Sequence, residues 1–407
     1  MYRTLFGESR VMPPINIRLD QTYPPARQGK EYEWYEPPRQ GGLAGILEVS
    51  SGCLAGSYDS VVISTDLEPD DVLCIAALEN KLRGVPLLVV VGEGAADKAT
   101  MAAELLASFN LDSRATVVQG KRSAVTFPDG VTESYRHERR VPACKVQDGG
   151  ESAAVRAVLA VDAFLSKHAR PLALLLKPPH EFLTASPVLL GKTKGVLYGS
   201  FNLQSLHPAM TELAGSALSA AELHVAEIDL MKRFAKMLWI ERSTACGRDC
   251  VLEPSSCPPA IWQYIDSQAG LTRHIQAWNT HMIASIADKI AKLPTDVRAA
   301  LDDDADGART KGDAHYSRLD PYINQVDKRV QILVAITACR GKQVCHADTL
   351  VSAAILDESG SLAKYERPSP AGPERLYQLV SEPGDERDAL VKASFKVLER
   401  AFSSQMS

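Results

Sequence analysis

The sequence predicts an α/β fold, a mostly parallel sheet flanked by helices, with a largely helical C-terminal half. Three observations carry this. Short apolar runs recur at Val61–Ile63, Leu87–Val91, Leu172–Leu176 and Val196–Tyr198, with Ala115–Val118 interrupted only by Thr116. Segments with apolar residues at helical spacing separate most of them, and strands alternating with helices become parallel strands joined by right-handed crossovers. Runs that are apolar throughout, rather than alternating, fit strands covered on both faces.

Taken in order, the core begins at Tyr58 and its first strand is Val61–Ile63. Asp66–Asp71 is a polar turn. Val72–Leu82 follows as a helix, with Leu73, Ala76, Ala77 and Leu82 near helical spacing. Leu87–Val91 is the second strand, about Asp97–Phe109 a helix, and Ala115–Val118 the third strand. Ala153–Leu165 is helical and precedes the last two strands. From about Ala217 the pattern turns mostly helical, with long candidates over Glu222–Trp239, Trp262–Lys292 and Asp320–Arg340. Met231, Phe234, Met237 and Leu238 are assigned to the core, and so is Cys74 on its apolar helix face.

Composition narrows the class. The 407 residues exceed the ~250–300 at which single cores stop growing, so one large domain with additions, or two domains, is expected. With 45% hydrophobic and 23% charged residues the chain is globular rather than disordered. Lys and Arg total 45 against 50 Asp and Glu, a net charge of −5, which excludes a general nucleic-acid binder. No apolar run approaches the ~20 residues of a membrane span, so no membrane partner is expected. Met1–Arg10 lacks an apolar signal region, and eight scattered cysteines do not form a disulfide framework; a reduced, cytoplasmic location is expected. Residues 1–57 carry the proline pairs Pro13–Pro14, Pro24–Pro25 and Pro37–Pro38, interleaved with charge and with Tyr32, Trp34 and Tyr35. Such a stretch disfavours helix and central strand. It is read as a partly disordered arm preceding a domain over 58–407. The arm is either a plain tail or a docking segment for a protein partner, and homo-oligomerisation stays open.

The strongest chemical signal is the turn after the first strand, Ser64-Thr-Asp66-Leu-Glu68-Pro-Asp70-Asp71. Carboxylates crowd the carboxyl end of a strand, the edge of an open α/β sheet where ligands bind. They repel one another unless a proton or a cation compensates, and Ca²⁺ tolerates irregular carboxylate geometry best. A second reading stands beside this one. Pro69, Asp70 and Asp71 open a helix, and acids favour helix N-termini. Capping accounts for one or two of the carboxylates, but not for Asp66 and Glu68 as well.

Asp66-x-x-x-Asp70-Asp71 after an apolar strand resembles the aspartate cluster of the nucleoside hydrolases, the inosine-uridine preferring family and its relatives. Further pieces follow in order. Val89-Val-Val-Gly92-Glu93-Gly, a helix, and then Ala115-Thr-Val-Val-Gln-Gly120 resemble the family's second strand, helix and third strand. Leu172-Ala-Leu-Leu-Leu-Lys-Pro178-Pro-His180 resembles its strand ending in Gly-Pro-Leu-Thr-Asn. Lys194-Gly-Val-Leu-Tyr198-Gly199-Ser200 resembles its Met-Gly-Gly strand. His346-Ala347-Asp348-Thr-Leu-Val resembles its His-Asp-Pro helix start. The resemblance spans about residues 58–358 and marks a divergent member.

It implies a nucleoside-hydrolase-like fold and a Ca²⁺ held by Asp66, Asp71, Asp348 and the backbone carbonyl of His180, with ribose hydroxyls and a water completing the sphere. Asp66 matches the catalytic base and Asp70 a ribose contact. The implied reaction is hydrolysis of the N-glycosidic bond of a ribonucleoside or related ribosyl compound. The departures remodel the surroundings. Ser64 stands where the family has its first Asp, and Leu67-Glu68 where it has Pro-Gly. Glu93 replaces an Asn that contacts ribose, exchanging a donor and acceptor for an acceptor-only carboxylate. Ala347 occupies the place of the His that protonates a leaving base, and His346, one residue earlier, is the substitute acid. Asn202, after Phe201, is the nearest match to the family's substrate-side Asn; it is a sugar contact or a turn cap. Ser64, Glu93 and Ala347 motivate a rival reading of another class, a ribosyl- or nucleotide-binding effector or regulator that kept the fold and lost turnover.

Weaker motifs remain. Asp302, Asp304, Asp306, Gly307 and Asp313 fit an EF-hand-like spacing, but Arg309 and the short Asp313 favour a solvated loop. Cys246, Cys250 and Cys257 lack the fourth ligand and paired spacing of a zinc site. Arg136, His137, Arg139 and Arg140 form a basic patch, either a solvated loop or a phosphate contact.

Overall fold

The structure, a computed structural model, describes residues 47–92, 98–120, 125–126, 132–133, 150–177, 180–198, 228–240, 251–252, 258–276, 345–346, 350–369, 374–379 and 385–407. An antiparallel ribbon comes first, β1 (Leu47–Val49) paired with β2 (Gly56–Tyr58). Leu47, Val49, Cys53 and Leu54 are buried in the main core, so packing reaches back beyond the expected start at Tyr58.

β3 (Ser60–Thr65) is buried at every position. It leads into α1 (Pro69–Ala77), where Pro69 opens the first turn and Asp70 and Asp71 follow it. Proline suits this position because the first helical N–H has no intrahelical acceptor. The expected single helix to Leu82 breaks at Leu78 into α1 and α2 (Glu79–Leu82). β4 (Leu87–Val91), α3 (Ala99–Ser108) and β5 (Ala115–Gln119) complete the first half of the sheet. The short hairpin β6 (Val125–Thr126) and β7 (Thr132–Glu133) follows. α4 (Gly150–Lys167) returns the chain to β8 (Pro171–Leu175), α5 (His180–Thr184), α6 (Pro187–Leu190) and β9 (Lys194–Tyr198).

The C-terminal half contributes three further strands to the same sheet. Residues expected to continue a helix over Glu222–Trp239 instead form a helical turn at 228–231 and then β10 (Lys236–Ile240). Periodicity alone cannot separate a buried strand from a buried helix in a run as apolar as Met237–Ile240. The slot between two parallel neighbours decides it, for β10 pairs with β9 on one side and with a later strand on the other. The two-residue strands β11 (Val251–Leu252) and β12 (Cys345–His346) pair with each other. β13 (Glu366–Pro368) runs antiparallel to β14 (Leu376–Leu379). The helix expected over Trp262–Lys292 is interrupted: Pro259–Ser267 ends at Gln268 in an extended conformation, and helix resumes over 269–276. Gly270, a poor helix former, lies just past the break. Residues 277–292 and the candidate Asp320–Arg340 lie outside the described residues. The terminal helix is Asp385–Met406.

The strand order is β13-β14-β10-β9-β8-β3-β4-β5, parallel except for β13. Side chains alternate between the faces. Val61, Ile63, Leu172, Leu174 and Leu238 join one apolar layer with α1, α3 and the helices Pro259–Ser267 and Asp385–Met406. Val62, Ala173, Leu175, Leu197 and Met237 join the other with α4, α5 and Phe234. Both faces are covered, as runs apolar throughout require. The core assignments of Cys74, Met231, Phe234, Met237 and Leu238 hold. No helix among the described residues is long and apolar enough to cross a membrane.

The order fixes where a site can form. From β3 the chain builds outward through β4 and β5, then returns to lay β8 on the other side of β3. The crevice beyond the carboxyl ends of β3 and β8 is therefore a topological switch point, the preferred ligand position of open α/β sheets.

Candidate functional site

Two loops meet at this switch point, and each begins with a strand that cannot continue. After β3 the chain turns at Asp66 and Leu67, and Leu67 takes a left-handed conformation at φ 60°. That conformation is costly for a branched side chain, and hydrogen bonds hold it. Leu67 N–H donates to Thr65 Oγ1 at 2.9 Å, and Glu68 N–H donates to Asp66 Oδ1 at 3.1 Å. Asp71 ties the turn from the helix side, its Oδ2 accepting from Thr65 Oγ1 at 2.6 Å and from Asp66 N–H at 3.2 Å. The two carbonyls flanking Leu67 are also engaged. Lys98 Nζ donates to Asp66 O at 2.5 Å, and His274 Nε2 donates to Leu67 O at 2.8 Å.

The electrostatics follow from burial. Asp70 and Asp71 are buried. Burial pushes the Asp71 carboxyl well above the usual carboxylate range, the neighbouring charges of Asp66, Asp70 and Glu68 push the same way, and the Thr65 hydroxyl opposes them. The Cys74 thiol is raised by burial and by Asp71 and Asp70. His274 is depressed to about 4 by burial, partly offset by its bond to Leu67 O and reinforced by the charge of Lys98. It is therefore a neutral donor at physiological pH.

The second loop follows β8. Lys177 and Glu181 face each other at 3.3 Å, both side chains without solvent exposure. Gly120, at the carboxyl end of β5, makes room for them, since a Cβ there would overlap Glu181 Oε1. Gln119, one residue earlier, accepts the Lys98 backbone N–H at 2.9 Å. The carboxyl ends of β3, β5 and β8 and the start of α3 thus enclose one polar cluster. Lys98, Lys177, Glu181 and His274 are its members that sequence reading missed. The available signals were faint: a lysine ending the apolar run Leu172–Leu176, and a glutamate four residues on, at helical ion-pair spacing.

Of the residues read from the sequence, Asp66, Asp70 and Asp71 lie near one another in the turn. His180 opens α5 directly beyond β8. His346 lies in β12, and both β12 and the helix Leu350–Ala354 pack against α1. Glu93, Asn202 and Asp348 lie outside the described residues, as do Asp302–Asp313, the group Cys246, Cys250 and Cys257, and the basic patch Arg136–Arg140. Among the described residues no three His, Cys, Asp or Glu side chains are grouped to hold a metal ion. The donor chemistry nonetheless suits a hard cation: the turn is rich in carboxylate oxygen, and Lys98 offers one positive charge against Asp66, Glu68, Asp70 and Asp71. Ser64 Oγ is buried without a hydrogen-bond partner among the described residues. A buried hydroxyl left so is costly unless a ligand or water completes it.

No family model and no curated protein matches this chain. Solved structures similar to it include an inosine-guanosine nucleoside hydrolase (11% identity, 84% of this chain and 98% of that one, TM-score 0.39). A plant nucleoside hydrolase, the PpNRh1 enzyme, is 14% identical over 84% of this chain and 99% of its own, with a TM-score of 0.40. A purine-preferring ribonucleoside hydrolase from Gardnerella vaginalis is 11% identical over 85% and 99%, with a TM-score of 0.42.

Proposed function

We propose that this chain hydrolyses the N-glycosidic bond of a ribonucleoside or related ribosyl compound. The observation that carries the reading is the gathering of Asp66, Asp70 and Asp71 at the switch point beyond β3. Asp66, Asp71, Asp348 and the backbone carbonyl of His180 would hold a Ca²⁺, which when bound supplies positive charge that polarises ribose hydroxyls and water.

The chain's own residues do the rest. Asp66 accepts the proton of the water that adds to C1′. The C1′–N bond breaks with its electron pair leaving on the base, and His346 supplies the proton that the leaving base takes up. Asp70 accepts a hydrogen bond from a ribose hydroxyl, and Glu93 and Asn202 are proposed as further sugar contacts. The carboxylates of the turn stabilise the positive charge that develops on the sugar ring. Lys98 and His274 brace the turn that carries Asp66 by holding the carbonyls of Asp66 and Leu67.

Calorimetric titration of metal-free protein with Ca²⁺, with a nucleoside panel assayed for released base, tests the reading. Saturable Ca²⁺ binding is expected, lost in both Asp66→Ala and Asp348→Ala, and base release should slow by about 10²-fold or more in Asp66→Ala. His346→Ala should slow hydrolysis of purine substrates. Unchanged Ca²⁺ titration in both Asp variants rejects the ion site. Binding of Ca²⁺ and ribosyl ligand with no released base favours the binding-protein reading.

A further inference from the structure

At the opposite edge of the sheet, the amino ends of β8 and β9 and the ribbon strand β2 surround a cleft of about 310 Å³. Its lining is Gly56, Ser57, Tyr58, Arg170, Pro171, Lys192 and Lys194. Three cations meet there, and among the described residues no carboxylate lines it. Each cation is held in place by one bond. Arg170 Nη1 donates to Ser57 Oγ at 2.5 Å, Lys192 Nζ to His168 O at 2.5 Å, and Lys194 Nζ to Ala55 O at 2.8 Å. Lys194 Nζ also lies 5.6 Å from the centre of the Tyr58 ring. These bonds explain where each side chain sits, and they leave donors on all three: an ammonium carries three N–H groups and a guanidinium five.

Two acids stand on the same elements. Asp59 is occupied, accepting the Ala169 N–H at 2.9 Å and the Arg170 N–H at 3.2 Å. Glu48 is exposed and lies opposite Ser57 in the ribbon register. Like charges brought together in a partly enclosed cleft focus a positive field. The Lys194 ammonium is depressed from its ordinary range, by burial first and then by Lys236, which lies outside the cleft lining.

We propose that this cleft binds a small phosphate-bearing anion. A tetrahedral oxyanion can accept from three separately anchored cations at once, and an arginine fork matches phosphate geometry. The volume is at the lower end of the ~300–1,000 Å³ of small-molecule sites, room for a phosphate and a small sugar rather than a macromolecule. The site is independent of the acidic turn, since it lies at the other end of the same strands.

Titration of the full chain with inorganic phosphate and with ribose 5-phosphate at low salt tests it, with ribose as the uncharged control. Saturable binding of at least one anion is expected, weakened about tenfold in both Arg170→Ala and Lys192→Ala, weakened by added salt, and retained in Asp66→Ala. Tighter binding of ribose 5-phosphate assigns the site to a phosphate ester, and equal binding assigns it to phosphate alone. Thermal melts confirm that the variants fold. No saturable binding at millimolar anion, or binding indifferent to both substitutions, overturns the proposal. So does anion binding lost in Asp66→Ala but kept in Arg170→Ala, which places the anion at the acidic turn.

Discussion

The two edges of this sheet carry opposite charges and treat them oppositely. At the carboxyl edge Asp70, Asp71, Lys177, Glu181 and Lys98 are buried; Asp71 accepts from Thr65, Lys98 donates to Asp66 O, and Lys177 faces Glu181. At the amino edge Arg170 is exposed and Lys192 and Lys194 are half-buried around an open cleft. The helices account for the signs. In a parallel α/β sheet helices begin beyond the carboxyl ends of strands and finish near the amino ends, so acids meet positive helix ends and cations meet negative ones. Asp70 and Asp71 in the first turn of α1, and Lys192 on the His168 carbonyl just past α4, are instances. The difference in burial implies that the carboxyl edge is sensitive to loss of a partner, while the amino edge tolerates it.

The largest expected effect breaks the carboxyl edge. Lys177→Ala removes the cation that faces the fully buried Glu181 and should cost about 3–5 kcal/mol in chemical denaturation. The double variant Lys177→Met, Glu181→Leu should recover most of that loss, because the pair is then replaced rather than broken. A single variant near wild-type stability would mean that the pair is hydrated in solution.

A smaller effect sharpens the same side. His274 binds its proton less readily in the folded chain, at about 4, than at its ordinary 6.5. Its contribution to stability is therefore full above about pH 6.5 and is lost as pH falls towards 4, up to on the order of 3 kcal/mol by linkage. His274→Asn keeps a donor for Leu67 O without a titrating ring. It should flatten the stability profile across that window, measured by denaturant midpoints at stepped pH. An unchanged profile would assign the acid sensitivity to other groups.

The smallest effect belongs to the amino edge. Arg170→Ala and Lys192→Ala each remove one solvent-facing cation bond and should change stability by less than about 1 kcal/mol. A loss as large as that for Lys177→Ala would erase the contrast between the edges.

The legible parts of the molecule were those whose cause is local. β3, β4, β5 and β8 are apolar runs flanked by turns, and the Asp66–Asp71 turn announces itself by charge density. β10 was missed because Met237–Ile240 satisfies both periods, and only its neighbours β9 and β14 choose between them. β14, four residues with a buried Gln378, carries too little pattern to stand out. Lys98 and His274 were not legible as site residues. Their partners, Asp66 and Leu67, lie 32 and 207 residues away, and nothing in a sequence distinguishes a buried lysine from a solvated one.

The strand β13 has a consequence for how copies of this chain meet. Among the described residues it is the last strand on its side of the sheet, only three residues long, and it ends in Pro368. Proline offers no N–H to an incoming strand, and the charged Glu366 and Arg367 precede it; Glu366 already accepts the Cys53 N–H at 2.7 Å. Such a margin is a poor template for strand addition. A sheet with seven parallel strands among the described residues, slow to assemble by the nature of its long-range pairings, is thereby shielded on one flank from edge-to-edge aggregation once it has folded.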